Sequence, residues 1–405
     1  MLKGRAVVAQ SGGPTVVINA SLAGVIEEAS RHGGVISELL GSRHAVRGMR
    51  DSAYVSLSSA EKVSAGFLDL LAGTPSSALG SSRDKPDEAY CAAIVESFRR
   101  HDVRYFFYIG GNDSADTARI VAEMAGKSGH ELTAVHIPKT IDNDLRNNDH
   151  TPGFGSAARF VALAFMGDEL DNRALPGVKI NVVMGRNAGF LTAAAGLARQ
   201  YADAGPHLIY CPEVAFDRAK FVSDVQSVVD RLGRCVVAVS EGVAEASGRE
   251  IAVVLAEQSG GAVERDSHGN VQLSGSGALG DALASVVKAE VKFKGKPRVR
   301  ADTFGYLQRS FAGCVSPVDA SEAREVGRLA VRYAVTEGHS GTVTINRAEG
   351  PAYRAVYAKA RFADVAREAR HMPRSYLNEA GNDVTEAFLA YARPVVGDLP
   401  AVATL

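Results

Sequence analysis

Cysteine is sparse in this chain and charge of either sign is balanced. Cys91, Cys211, Cys235 and Cys314 are scattered with no CxxC spacing. That spacing excludes the usual zinc patterns and a dense disulfide framework, and points to a reducing, cytoplasmic compartment. Lys and Arg total 45 against 46 Asp and Glu, a net charge of −1, so the basic excess of a nucleic-acid-binding surface is missing. No apolar run approaches the 18 or so residues of a membrane span. The opening MLKGRAVVAQSGG has too little length for a signal sequence. No repeat of solenoid length is found. What remains is 405 residues with 46% hydrophobic and 22% charged residues, the composition of an ordinary globular protein of two to three domains.

Short apolar runs rich in β-formers alternate with longer stretches of helical periodicity, which is the pattern of α/β folds built on parallel sheets. The runs at 5–9, 105–109, 133–138, 179–184, 207–211 and 235–240 read as strands. The stretches at 15–30, 88–100, 156–170, 189–201 and 321–336 read as helices. The Gly- and Ser-rich segment 259–280 reads as a loop or hairpin joining two bodies of structure. At 292–300, KFKGKPRVR places five cations in nine residues, either a solvated strand or an anion-binding edge.

Ligands of open parallel sheets collect at the carboxyl ends of the strands. After the first strand come Gly12 and Gly13, a turn whose backbone N–H groups suit a phosphate, although a Gly pair alone is equally a tight turn. After 105–109 come Gly110, Gly111, Asn112, Asp113 and Ser114, which alone read as a helix cap. After 133–138 come Lys139, Thr140, Ile141, Asp142, Asn143 and Asp144. A cation and two carboxylates in six residues can hold a divalent metal and accept a proton, where an acidic surface turn is the plainer reading. Met184, Gly185 and Arg186 end the fourth strand, and arginine is shaped for bidentate phosphate contact. Glu241 and Gly242 end the sixth. Each alone fits packing or capping; five such sets at equivalent strand ends point to one site.

Two further motifs compete. Gly275, Gly277 and Gly280 fit GxGxxG, with Asp302 about 20 residues on, as a dinucleotide site requires. The preceding VQL is too short and too polar a context for the first strand of such a unit. Gly126, Lys127 and Ser128 resemble the end of a P-loop, but Val121 stands where its first Gly belongs.

Taken in order, Ser11-Gly-Gly13, Gly110-Gly111, TIDND at 140–144, MGR at 184–186, SEG at 240–242 and YLQR at 306–309 resemble the phosphofructokinase family, and more narrowly its pyrophosphate-dependent branch. The resemblance covers most of the chain. It implies two similar lobes with mainly parallel sheets flanked by helices, a donor lobe at 1–153 plus about 308–358 and a sugar lobe at 154–307 plus about 359–405. Fructose 6-phosphate would bind across them and accept a phosphoryl group on its 1-hydroxyl. Asp142 would be the base, with Thr140, Ile141 and Asp144 beside it, the last acting through Mg²⁺. Arg186, with Met184 and Gly185, would bridge sugar and phosphoryl group, and Glu241 would accept hydrogen bonds from the sugar. Gly12 and Arg83 would hold the donor, and Tyr306 and Arg309 the 6-phosphate. Arg300 would come from a neighbouring subunit, implying a homodimer or homotetramer with its active site near the interface. Asn112 stands where many relatives place a metal-binding aspartate, and Gly177 where ATP-dependent bacterial relatives carry an interface arginine.

The donor follows from charge at two positions. ATP-dependent relatives carry Gly where this chain has Asp113, and Gly again where it has Lys139. A carboxylate ~5 Å from an α-phosphate, at an effective dielectric of ~20, repels it by about 3 kcal/mol, roughly two decades of affinity. Lys139 offers a cation to a phosphate leaving group. Pyrophosphate is the expected donor. An ATP-dependent sugar-phosphate kinase, a nicotinamide oxidoreductase using Gly275 to Gly280 and a non-catalytic sugar-phosphate sensor are the alternatives.

Overall fold

The computed structural model describes residues 2–258, 277–296, 298–366 and 368–403. Among them the strands are β1 (Gly4–Gln10), β2 (Ile36–Ser42), β3 (Tyr54–Ser56), β4 (Val103–Gly110), β5 (Thr133–Pro138), β6 (Val178–Val183), β7 (Leu208–Tyr210), β8 (Cys235–Ser240), β9 (Val299–Thr303), β10 (Gly341–Arg347) and β11 (Ala355–Ala360). The chain clusters into two compact units, Met1–Ser156 with Arg309–Arg370, and Ala157–Gln308 with His371–Leu405.

In the first unit seven strands run in the order β11-β10-β5-β4-β1-β2-β3. The four central pairings are parallel, and the edge strands β3 and β11 are antiparallel to their neighbours. Alternating side chains of β1 and β4 serve opposite faces. Ala6, Val8, Tyr105, Phe107 and Ile109 pack with the helices Ile18–Arg31 and Pro317–Glu337. Val7, Ala9, Phe106 and Tyr108 pack with Glu88–Arg100 and Asn112–Lys127. Burial on both faces explains why these strands read as unbroken apolar runs. The chain lays β2 on one side of β1 and β4 on the other, so the switch point, where loops diverge and leave a crevice, falls between β1 and β4.

The second unit holds a four-stranded, all-parallel sheet in the order β7-β8-β6-β9. Its core joins Val178, Ile180, Val182, Val237 and Val239 to residues of the helices Arg218–Leu232 and Ala278–Glu290.

Several elements differ from the sequence reading. The stretch 189–201 is a short helix, Phe190–Ala194, followed by one 3₁₀ turn, Ala195–Ala198. It is buried on all sides, so it has no apolar stripe to read. The helix expected from 321 starts at Pro317, because Ser316 caps it by accepting a hydrogen bond from the Asp319 N–H. The basic run is not a strand throughout: 292–296 precede β9 as irregular chain, and only 299 and 300 enter it. The last return of the chain lies beyond residue 358, because β11 pairs with β10, Ala369 bridges Leu145, and the Arg370 N–H donates to the Asp144 carbonyl at 2.7 Å. Most of segment 259–280, with the first two positions of GxGxxG, lies outside the described residues. Asp302, its expected ribose partner, sits on β9 with its carboxylate 3.6 Å from Lys179.

Candidate active site

The first unit gathers its polar residues at the β1–β4 switch point. The Ser11 N–H donates to the Ile109 carbonyl at 2.9 Å, and its hydroxyl lies 2.5 Å from that of Ser114. These bonds tie the turn after β1 to the helix after β4. The Gly12 N–H donates to the Ser82 carbonyl and the Ser81 hydroxyl to the Gly12 carbonyl, at 3.1 and 2.6 Å, which draws in the segment carrying Arg83. Lys139 is 3% exposed, and its Nζ donates to the Gly13 carbonyl at 2.8 Å. A Cβ placed on Gly13 would lie 3.1 Å from Cζ of Arg309, so the missing side chain is what lets that guanidinium lie over the turn.

Lys139 therefore sits among like charges. Burial, aided by Arg309 and Arg83 and opposed by Asp142 and Asp144, lowers its pKa to about 8. Arg83, Asp142, Asp144 and Arg309 are thus close enough for their charges to act on Lys139. Asp142 is half-buried, its N–H donating to the Thr140 hydroxyl at 3.2 Å. Ile141 is buried beside it. Burial holds the Asp144 carboxyl above the usual carboxylate range, against hydrogen bonding from Thr140 and the charges of Arg370 and Lys139. Asn112 opens the helix Asn112–Lys127, and its side-chain oxygen is buried with no hydrogen-bond partner.

Asp113 lies in the first turn of the same helix. Its side chain is 76% exposed and lies 3.5 Å from Nζ of Lys85. Its charge is both shared and screened, so the ~3 kcal/mol of repulsion worked from sequence is an upper bound.

In the second unit the turns after β6 and β8 are built against each other. The Glu241 N–H donates to the Val183 carbonyl at 2.9 Å and the Ser240 hydroxyl to the Gly185 carbonyl at 2.6 Å. A Cβ on Gly242 would lie 2.0 Å from the Arg186 carbonyl oxygen, so only glycine permits this approach. Arg186 is half-buried and Glu241 is 5% exposed. The Met184 N–H donates to Oε1 of Gln308 at 3.3 Å, while Nε2 of Gln308 donates to the Gly305 carbonyl at 2.8 Å. Gln308, for which the YLQR motif carries no expected role, thus ties the turn after β6 to the turn at Gly305. Tyr306 is exposed in this unit, whereas Arg309 falls in the first. Arg300 is exposed on the edge strand β9. A side chain at Gly177 would meet the Arg298 carbonyl at 2.3 Å, and Lys179 is engaged by Asp168, Asp171 and Asp302.

The chain is similar to known proteins over nearly its whole length. The phosphofructokinase family profile matches residues 5–334. A protein of Rhodospirillum rubrum named pyrophosphate–fructose 6-phosphate 1-phosphotransferase is 56% identical over 397 residues, 98% of this chain and 95% of that protein. One of the same name from Xanthomonas campestris is 40% identical, over 99% of this chain and 93% of its own. The crystal structure of a pyrophosphate-dependent phosphofructokinase from Marinobacter aquaeolei superposes with a TM-score of 0.83 at 33% identity, covering 99% of this chain and 94% of that one. With the family profile matched over residues 5–334 and relatives matched over nearly its whole length, the chain belongs to the phosphofructokinase family.

Proposed function

We propose that this protein transfers a phosphoryl group from pyrophosphate to the 1-hydroxyl of fructose 6-phosphate, reversibly, giving fructose 1,6-bisphosphate and orthophosphate. The observation that carries the choice of donor is Lys139, a buried ammonium bonded to the Gly13 carbonyl in a neighbourhood shared with Arg83 and Arg309. Small polyanions suit such a cluster, because fixed charge in a water-poor site stabilises the departing phosphate as it forms. In the forward direction the bond from the bridging oxygen to the transferred phosphorus breaks and the bond from O1 of the sugar forms. Asp142 takes the O1 proton as that bond forms, since an ordinary carboxylate is too weak to ionise an alcohol beforehand.

The first unit acts as the donor lobe, through Gly12, Arg83, Lys139 and the amino end of the helix Asn112–Lys127. The second acts as the sugar lobe, through Met184, Gly185, Arg186, Glu241 and Tyr306. Arg186 places fixed charge against the phosphoryl oxygens. Among the described residues no group of three or more His, Cys, Asp or Glu side chains could hold a metal. The partnerless oxygen of Asn112 and the half-buried Asp144 carboxyl instead offer two oxygen ligands, which suits Mg²⁺, an ion that completes its shell with water and substrate phosphates. When bound, Mg²⁺ neutralises charge on pyrophosphate. Arg300 reaches a neighbouring subunit of a homo-oligomer, and the enzyme works in the cytoplasm, in keeping with its four free cysteines. The deciding experiment is a coupled assay of fructose 1,6-bisphosphate formation with each donor and Mg²⁺. Turnover with pyrophosphate alone is expected; brisk turnover with ATP while pyrophosphate is inert overturns the reading.

A further inference from the structure

The loop 139–153 carries Thr140, Asp142 and Asp144, and a buried charged cluster pins its far end. His150 is 0% exposed. Its Nδ1 lies 2.8 Å from Oδ2 of Asp149, and its Nε2 lies 2.5 Å from Oε2 of Glu322 on the helix Pro317–Glu337. Ionised carboxylates only accept hydrogen bonds, so a ring held between two of them donates from both nitrogens and is an imidazolium. The Tyr353 hydroxyl donates to Glu322 and stands 3.2 Å from Nε2 of the same ring. Arg347 on β10 pairs with Asp149 at 3.1 Å and lies over the Tyr353 ring at 4.8 Å. Two cations thus balance two carboxylates.

The cluster is linked to the reacting end of the loop by short steps. Next to His150, the Thr151 hydroxyl donates to the Thr140 carbonyl at 2.8 Å, and the Thr140 N–H donates to the Pro152 carbonyl at 3.2 Å. Asp319, fully buried one helical turn before Glu322, accepts from the N–H groups of Gly153 and Ser156, both at 2.9 Å. A shift of His150 away from Glu322 therefore shifts the strand of chain against which Thr140 is paired.

Resting on the transferase reading above, we propose that His150, as a charged imidazolium clamped by Asp149 and Glu322, is a positioning residue that sets the loop bearing Asp142 for proton transfer. It acts through Thr151 and Thr140 and touches no substrate. The groups facing the ring are Asp149, Glu322 and Tyr353, with Arg347, Asp319 and Tyr357 behind them. The hydrogen bonds and charges of the two carboxylates outweigh burial and raise its pKa to about 9.

The test pairs ring state with kinetics in the full-length enzyme. In ¹⁵N-edited histidine spectra, the signal missing from His150→Gln is expected to stay doubly protonated until pH passes about 9. His150→Gln is expected to lower kcat about 10- to 100-fold, with the KM for each substrate within about threefold, the signature of lost orientation. Glu322→Gln keeps a hydrogen-bond partner and removes one charge, so the ring should lose its proton at lower pH and the alkaline fall in kcat should move with it. If His150→Gln does not fold, Glu322→Gln carries the test alone. A singly protonated ring at pH 7.5, or a wild-type kcat in His150→Gln, overturns the proposal. So does a displaced titration in Glu322→Gln with no displacement in kcat. A wild-type enzyme that makes no fructose 1,6-bisphosphate from pyrophosphate fails the transferase reading instead, and the spectra still report the ring.

Discussion

Replacing Lys139 with methionine keeps the length and bulk of the side chain and removes its charge. Nζ caps the turn after β1, 2.8 Å from the Gly13 carbonyl and 3.2 Å from the place a Cβ on Gly12 would take. A phosphate oxygen seated ~5 Å away gains about 3 kcal/mol from that charge at an effective dielectric of ~20. Loss of the bond to the Gly13 carbonyl adds about 1 kcal/mol. The expected result is a fall of roughly 10²- to 10³-fold in kcat/KM for pyrophosphate, in an assay coupling fructose 1,6-bisphosphate to NADH oxidation, with a much smaller change in the KM for fructose 6-phosphate. The pKa of about 8 adds two checks. In wild type, kcat/KM for pyrophosphate should fall as pH rises through about 8, and Lys139→Arg, which keeps its charge, should move that limb upward. The sign for stability is opposite. A lysine whose folded pKa lies below its unfolded value of 10.5 opposes folding in full below about pH 8, and the cost fades as pH rises towards 10.5. Lys139→Met should thus melt higher than wild type at pH 7, by that cost less about 1 kcal/mol for the lost bond to the Gly13 carbonyl, with the difference shrinking at alkaline pH. A loss of kcat/KM under tenfold, or a lower melting temperature at pH 7, refutes the reasoning.

Asp113→Gly should raise turnover with ATP and weaken that with pyrophosphate, by less than the two decades of an unshielded charge, because Lys85 already shares the field at 3.5 Å; unchanged donor preference in a competition assay rejects the idea. Gly242→Ala forces a Cβ against the Arg186 carbonyl. The overpacking costs about 1–3 kcal/mol or more, visible as a lower melting temperature together with a raised KM for fructose 6-phosphate, and a silent variant contradicts the geometry. Asp144→Asn should raise the Mg²⁺ concentration for half-maximal rate at least tenfold, and Asn112→Ala by a smaller factor, in titrations at fixed pyrophosphate; equal sensitivity of both variants and wild type removes them as ligands.

Which strands could be read from sequence depended on which are covered on both faces. β1, β4, β5, β6 and β8 are nearly wholly buried and appear as apolar runs. β9 and β11 lie at sheet edges and mix exposed with half-buried residues, Arg300, Asp302 and Lys359 among the exposed ones, with Val299 the one buried residue of the two. Their place is set by neighbours far along the chain, as Val299 is by Val178, which no local pattern records. The site followed the same division. Residues at the ends of the buried strands stood out by type and spacing. The residues that hold them did not, because Gln308, Ser240 and Asp319 act by hydrogen bonds to backbone groups distant in sequence. Ser316 with Pro317 was a readable cap that periodicity alone passed over.

His150 and Lys139 lie in one loop, are both buried, and shift in opposite directions. Burial disfavours the charged form of each, so the difference lies in their neighbours. His150 faces two carboxylates that hold it charged. Lys139 faces Arg83 and Arg309, which together with burial outweigh the opposing carboxylates of Asp142 and Asp144. The net effect of the protein's own groups is to lower the Lys139 pKa to about 8. An arriving polyanion opposes that effect and raises the lysine's pKa as it binds, so pyrophosphate binding should take up protons near pH 8. That uptake, measured from the dependence of binding heat on buffer ionisation, is absent if the donor is held by backbone N–H groups alone.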